Sequence, residues 1–163
     1  MIEQDKLKEI IEDIFEIAKQ HLVRDKELAP VVFFLGDEGI KAIVAIAIDL
    51  NEETQKDALA DAIKKMCKET DAWGYLFLSA AWMVTRTEEK GVRDIKCVSD
   101  CDDKIEIINM AGEYMNKHIQ GVVPFNRIKI DGEDGTQTEQ IICGESKVDM
   151  DFEFLRGRFM DLL

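Results

Sequence analysis

Two β-rich runs, Val31-Val32-Phe33-Phe34-Leu35 and Ile40-Lys41-Ala42-Ile43-Val44-Ala45-Ile46-Ala47-Ile48, flank the loop Gly36-Asp37-Glu38-Gly39. A four-residue loop with glycine at both ends, set between such runs, specifies a β-hairpin and excludes an all-helical bundle. The second run is nearly all apolar, which predicts a central strand covered on both faces. Upstream, Leu7, Ile10, Ile11, Ile14, Phe15, Ala18 and Leu22 form one apolar stripe at the 3.6-residue period, so a first helix is expected over residues 3–22. Leu28-Ala29-Pro30 ends it, because proline cannot continue a helix and holds the residue before it extended.

Beyond the hairpin, Asn51 followed by Glu52 and Glu53 has the chemistry of a helix start: a capping side chain, then carboxylates at the positive end of the dipole. Ala58, Leu59, Ala62, Ile63, Met66 and Cys67 supply the buried stripe of this second helix, which is expected to stop near Thr70. Residues 73–84 read as a long aromatic strand and residues 86–100, polar with Gly91, as a loop. Three more strands are expected at 105–110, 119–130 and 138–143. Ala111-Gly112-Glu113 and Asp131-Gly132-Glu133-Asp134-Gly135 would supply the turns between them. Phe152, Leu155, Phe159 and Leu162 recur at helical spacing despite Gly157. The expected order is α-β-β-α-β-β-β-β-α, a single α+β domain over residues 1–163. Its sheet of about six strands, antiparallel or mixed, would carry two main helices and a short C-terminal helix.

Charge narrows the function classes. The 163 residues carry 34 acids against 21 bases, a net charge of −13. A field of that sign repels phosphate backbones and anionic membranes, so neither nucleic acid nor membrane is an expected partner. The longest uncharged stretch, Ala72 to Thr85, is fourteen residues, short of the roughly 20 needed to span a bilayer. The first twenty residues are acid-rich, unlike a secretory signal. Cys67, Cys97, Cys101 and Cys143 are then expected as reduced thiols in a cytoplasm.

Few residues have the pattern of catalytic machinery. The histidines, His21 and His118, fall at a helix end and a strand start, and no glycine-rich phosphate loop follows a strand. Cys97-x-x-x-Cys101 lacks the second knuckle of a structural zinc site. Asp131 opens a segment resembling a calcium loop, but position six is Thr136 and position twelve Ile142, which excludes it. Asp100, Asp103 and Glu106, with Asp102 between them, are the candidate ligands for a hard cation. No cofactor is implied. Asp131 to Glu153 holds eight acids and one base, which reads as a soluble, self-repelling surface or, alternatively, as a face that meets a basic partner.

Ser79-Ala80-Ala81-Trp82-Met83, followed by Val98-Ser99-Asp100-Cys101-Asp102-Asp103-Lys104-Ile105-Glu106-Ile107, resembles an uncharacterised family of bacterial and phage-borne α+β proteins. That family has an S-E-A-W-M strand and a P-S-E-x-P-D-R-x-E-V segment. The resemblance covers residues 28–145 and rests on Ser79, Trp82, Met83, Ser99, Asp103 and Glu106. Ala80 stands where the family has glutamate, Asp102 where it has proline and Lys104 where it has arginine. The resemblance implies an α+β fold in a cytoplasmic setting and no assigned reaction; a catalytic carboxylate at position 80 would be lost here. On packing grounds Trp82 anchors the end of the long strand, while Asp103 and Glu106 meet Arg86 or Lys104 across strands.

Three functions follow as expectations. The first is a non-enzymatic interaction or assembly module, binding a protein partner or itself through Trp82, Arg86, Phe152, Leu155 and Phe159. The second is a metal-dependent hydrolase or metal-binding enzyme using Asp100, Asp103 and Glu106. The third is an acidic nucleic-acid mimic that occupies a basic groove.

Overall fold

The computed structural model describes residues 1–47, 52–84 and 104–150. Within them the chain runs α1 (Gln4–Asp25), β1 (Val31–Leu35), β2 (Ile40–Ala45), α2 (Glu53–Glu69), β3 (Gly74–Met83), β4 (Ile105–Tyr114), β5 (Lys117–Asp131), β6 (Gln137–Cys143) and β7 (Lys147–Met150). The seven strands form one sheet in the order β2-β1-β3-β4-β5-β6, with β7 also on β5, and every pairing is antiparallel. The fold is α+β, as the sequence predicts. The expected C-terminal helix, with Phe152, Leu155 and Phe159, lies outside the described residues, as do Arg86, Asp100, Asp103, Cys97 and Cys101.

The two helices cover opposite faces and different halves of the sheet. On one face, α1 presents Leu7, Ile11, Ile14, Phe15, Ala18 and Leu22 to a core with Leu76, Leu78, Ile108, Met110, Ile119, Val123, Phe125 and Ile141. On the other, Leu59, Ile63 and Cys67 of α2 meet Val32, Phe34, Tyr75 and Phe77. Ala58 and Ala62, expected in the α2 stripe, are exposed, and Ala60 is buried instead. Only the middle of the sheet is covered on both faces, which explains why six successive β3 residues, Gly74 to Ser79, are all buried.

Several expectations need correction. The nearly all-apolar run is not a central strand: β2 is the sheet edge, and Ile40 and Ile43 are exposed. The residue capping the start of α2 is Glu52, without a side-chain cap bond, not Asn51. Ala111-Gly112-Glu113 is no turn. These residues sit inside β4, with Gly112 between Leu76 on β3 and Ile119 on β5. The turn falls at Met115 and Asn116, both with positive φ (50° and 63°), the backbone signature of a two-residue hairpin loop. Gly112 is needed because a Cβ there would collide with the backbone of Tyr75 and Leu76. Finally, β7 is a strand that no segment of the sequence reading assigned.

That seventh strand follows from Pro124. Cys143 on β6 pairs with Phe125, and Lys147 on β7 pairs with Val122, so three residues of one strand face two of the other. The Pro124 carbonyl accepts a bond from the Gly144 N–H at 2.7 Å, which shows that this residue's polar groups point toward β6 and β7. Its missing N–H therefore leaves a gap in that ladder, and the chain bulges there. At the far end of the core, the buried Tyr114 hydroxyl accepts from the Ile2 N–H (2.9 Å) and bonds the Gly36 carbonyl (3.2 Å), tying the helix start to the hairpin loop.

Candidate functional site

Of the residues singled out in sequence, Trp82 and Glu106 come together. They are register partners on β3 and β4, on the α1 face. Trp82 is 44% exposed, and the Lys104 ammonium sits 4.7 Å from its ring centroid, a cation–π contact. Arg86 lies outside the described residues, and among the described ones the ion pair of Glu106 is with Arg127 rather than Lys104. The Glu106 carboxylate accepts from Arg127 Nε on β5 at 2.9 Å, and Arg127 Nη1 also donates to the Lys26 carbonyl at 2.8 Å. A cation drawing on Glu106 would have to displace this guanidinium. Among the described residues, no group of three acids, histidines or cysteines is placed to hold a metal.

One buried polar row escaped the sequence reading. Tyr75, Glu113 and His118 are consecutive register partners across β3, β4 and β5, on the face that α2 covers. Glu113 is 4% exposed, and each of the three residues has a polar, ring or electrostatic interaction. Burial, with the Glu113 carboxylate adding to it, pushes the Cys67 thiol up to about 11. At neutral pH that thiol stays protonated, so it is not an activated nucleophile. The signal for this row was an acid flanked by Gly112 and Tyr114 in a β-rich run, which turn chemistry concealed.

A further concavity lies elsewhere. Because α1 stands over the strands beyond β1 and covers only the Leu35 end of the hairpin, a groove of about 940 Å³ runs between α1 and the α1 face of β1 and β2. Its floor is Val31, Phe33 and Leu78, and its walls are Ile10, Ile14 and Ile17 on one side and Ile40 and Ile43 on the other. A register shift opposite Phe34 and Leu35 leaves Lys41 as an extra residue in β2. This bulge puts Ile40 and Ile43 on one face although they are three residues apart. Lys41 itself points away, its ammonium donating to the Thr70 and Asp71 carbonyls at the end of α2, both at 3.0 Å. Ile43 is 61% and Ile17 56% exposed, large apolar side chains left to water on both walls.

The groove has an acidic rim. Asp13, Asp25 and Glu27 line it with His21, and among the described residues no lysine or arginine does. Arg24 holds the Asp25 carboxyl below the usual carboxylate range through a hydrogen bond at 2.7 Å. Such a trough, apolar along its length and negative at its edges, suits an amphipathic segment rather than a small polar substrate.

A second apolar surface is flat. Beyond Phe125, β5 runs past the start of β4 and pairs only with β6, forming a two-stranded ribbon that exposes Ile128, Ile130 and Ile142 on one face.

No protein-family model, curated protein or solved structure matches the chain. No helix among the described residues is long and apolar enough to cross a membrane.

Proposed function

We propose that the protein is a non-enzymatic interaction or assembly module whose docking surface is the groove between α1 and the β1–β2 hairpin. The observation that carries this reading is the pair of facing isoleucines, Ile17 and Ile43, left more than half exposed on opposite walls of one trough. Fully burying an isoleucine is worth about 1.5–3 kcal/mol. Covering the exposed halves of Ile17, Ile40 and Ile43 therefore offers an occupant on the order of 3 kcal/mol before its own side chains count. The acid-rich rim adds selectivity for an occupant whose apolar stripe is flanked by cations.

A photo-crosslinking amino acid placed at position 43 of the full-length chain tests the reading. It is expected to capture a discrete apolar protein segment, whereas the same group at Glu133, in the turn of the β5–β6 ribbon, is expected to capture none. Crosslinks only to water or buffer from position 43 would refute it.

A further inference from the structure

Resting on that reading, we infer that the occupant of the groove is the C-terminal segment, residues 151–163, of a second copy of this chain. The segment's sequence is complementary to the trough. Phe152, Leu155, Phe159 and Leu162 fall on one stripe at helical spacing; at 100° per residue Arg156 and Arg158 flank it, one on either side, Asp151 shares the Arg158 edge, and Glu153 and Asp161 fall toward the opposite face. The segment thus turns two cations and one acid toward a groove lined by Asp13 and Glu27, with Asp25 already bonded to Arg24. Lengths agree as well. As a helix, Phe152 to Leu162 would span about 15 Å, and the wall from Ile10 to Asp25 on α1 offers about 22 Å.

The position of β7 selects the second copy over the same one. Met150, the last residue of β7, pairs with Ile119 on β5, and β4 and β3 lie between β5 and β1. Four strand spacings, about 19 Å, separate β7 from β1. Helix α1 stands over the intervening strands, so a segment docking on its own chain must first pass around that helix. At about 3.3 Å per residue the crossing uses roughly six residues. Phe152 and Leu155 would be spent on the way, with Arg156, leaving half the stripe. A second copy delivers the whole stripe, and reciprocal exchange closes a two-fold dimer in which both grooves are filled.

Mixing two full-length variants tests this. Ile43→Asp removes a groove wall and keeps the segment; Phe159→Asp spoils the segment and keeps the groove. Position 43 is well exposed, so the folded chain accommodates aspartate there, and Ile17→Asp serves as a second groove variant. Sedimentation velocity is expected to show a dimer for the unaltered chain and a monomer for each variant alone. An equimolar mixture should regain a dimer, because one intact groove then meets one intact segment. A monomeric unaltered chain, a dimeric Phe159→Asp variant, or dissociation by Ile130→Asp on the ribbon would each overturn the inference. A monomer whose position 43 still crosslinks a foreign apolar segment would overturn the exchange alone and leave the docking reading standing.

Discussion

Gly112→Ala is the sharpest test of the strand arrangement. Gly112 sits in the middle of β4 with Leu76 and Ile119 as register partners on either side. A Cβ there would lie closer than 3.0 Å to the Tyr75 carbonyl oxygen and 3.0 Å from Leu76 Cα. Both obstacles are backbone atoms of the strand buried on both faces, so neither can swing aside as a flexible side chain would. Overpacking costs typically 1–3 kcal/mol, and a backbone collision belongs at the upper end, about 3 kcal/mol. For a chain of this size each kcal/mol lowers Tm by about 2–4 °C, so calorimetry should record a loss of about 6–12 °C. The sign decides between two structures. In an unstrained turn at negative φ, the same change would stabilise by about 0.4–1 kcal/mol through the unfolded chain. A matched control is Gly135→Ala, where φ is +78° and nothing lies within 4 Å of the added carbon. There only the left-handed backbone cost of about 1–2 kcal/mol applies. A Gly112→Ala protein that melts within about 2 °C of the original, or above it, would refute the packing argument.

Other outcomes follow from the same structure. Tyr114→Phe strands the Ile2 N–H and the Gly36 carbonyl, both bonded by the buried hydroxyl. It should cost about 1–3 kcal/mol in urea unfolding. A double-mutant cycle of Arg127→Met with Glu106→Gln should give a coupling of about 0.5–1 kcal/mol, since both side chains keep partial solvent exposure. The Cys67 thiol has a folded pKa of about 11 against an ordinary 9.0. The protonated form is therefore favoured by folding. That contribution is intact below pH 9 and is lost as pH climbs from there through about 11, when the unfolded thiol ionises first. Urea midpoints should accordingly fall over that window less steeply in Cys67→Ala than in the unaltered chain, and the native thiol should resist alkylation at pH 8.

The hairpin, both helices, the aromatic β3 and the β4–β6 run were all legible, because each has a period or a turn that local chemistry imposes. What misled were residues whose reason lies in a neighbouring strand. Gly112 has turn chemistry but is glycine because β3 passes too close for a side chain. The true turn at Met115 and Asn116 contains no glycine at all. Apolar β2 mimics a doubly covered strand because its second apolar face lines a groove rather than a core. β7 was hidden by its brevity, four residues of which two are charged, and only Pro124, interrupting the ladder on β5, explains why the chain breaks before it. For the groove itself one signal was available. Ile17 lies off the buried stripe of α1, an isoleucine with no place in the helix's own core.

The most direct measurement is an isotope-filtered NOE experiment on a sample that mixes isoleucine-methyl-labelled copies with unlabelled ones. The account predicts intermolecular cross-peaks from the Ile17, Ile40 and Ile43 methyls to aromatic protons of the unlabelled copy, removed by Phe159→Asp in the unlabelled partner. Methyls of Ile17, Ile40 and Ile43 that show only intramolecular and water contacts, in a sample where copies do associate, would contradict it.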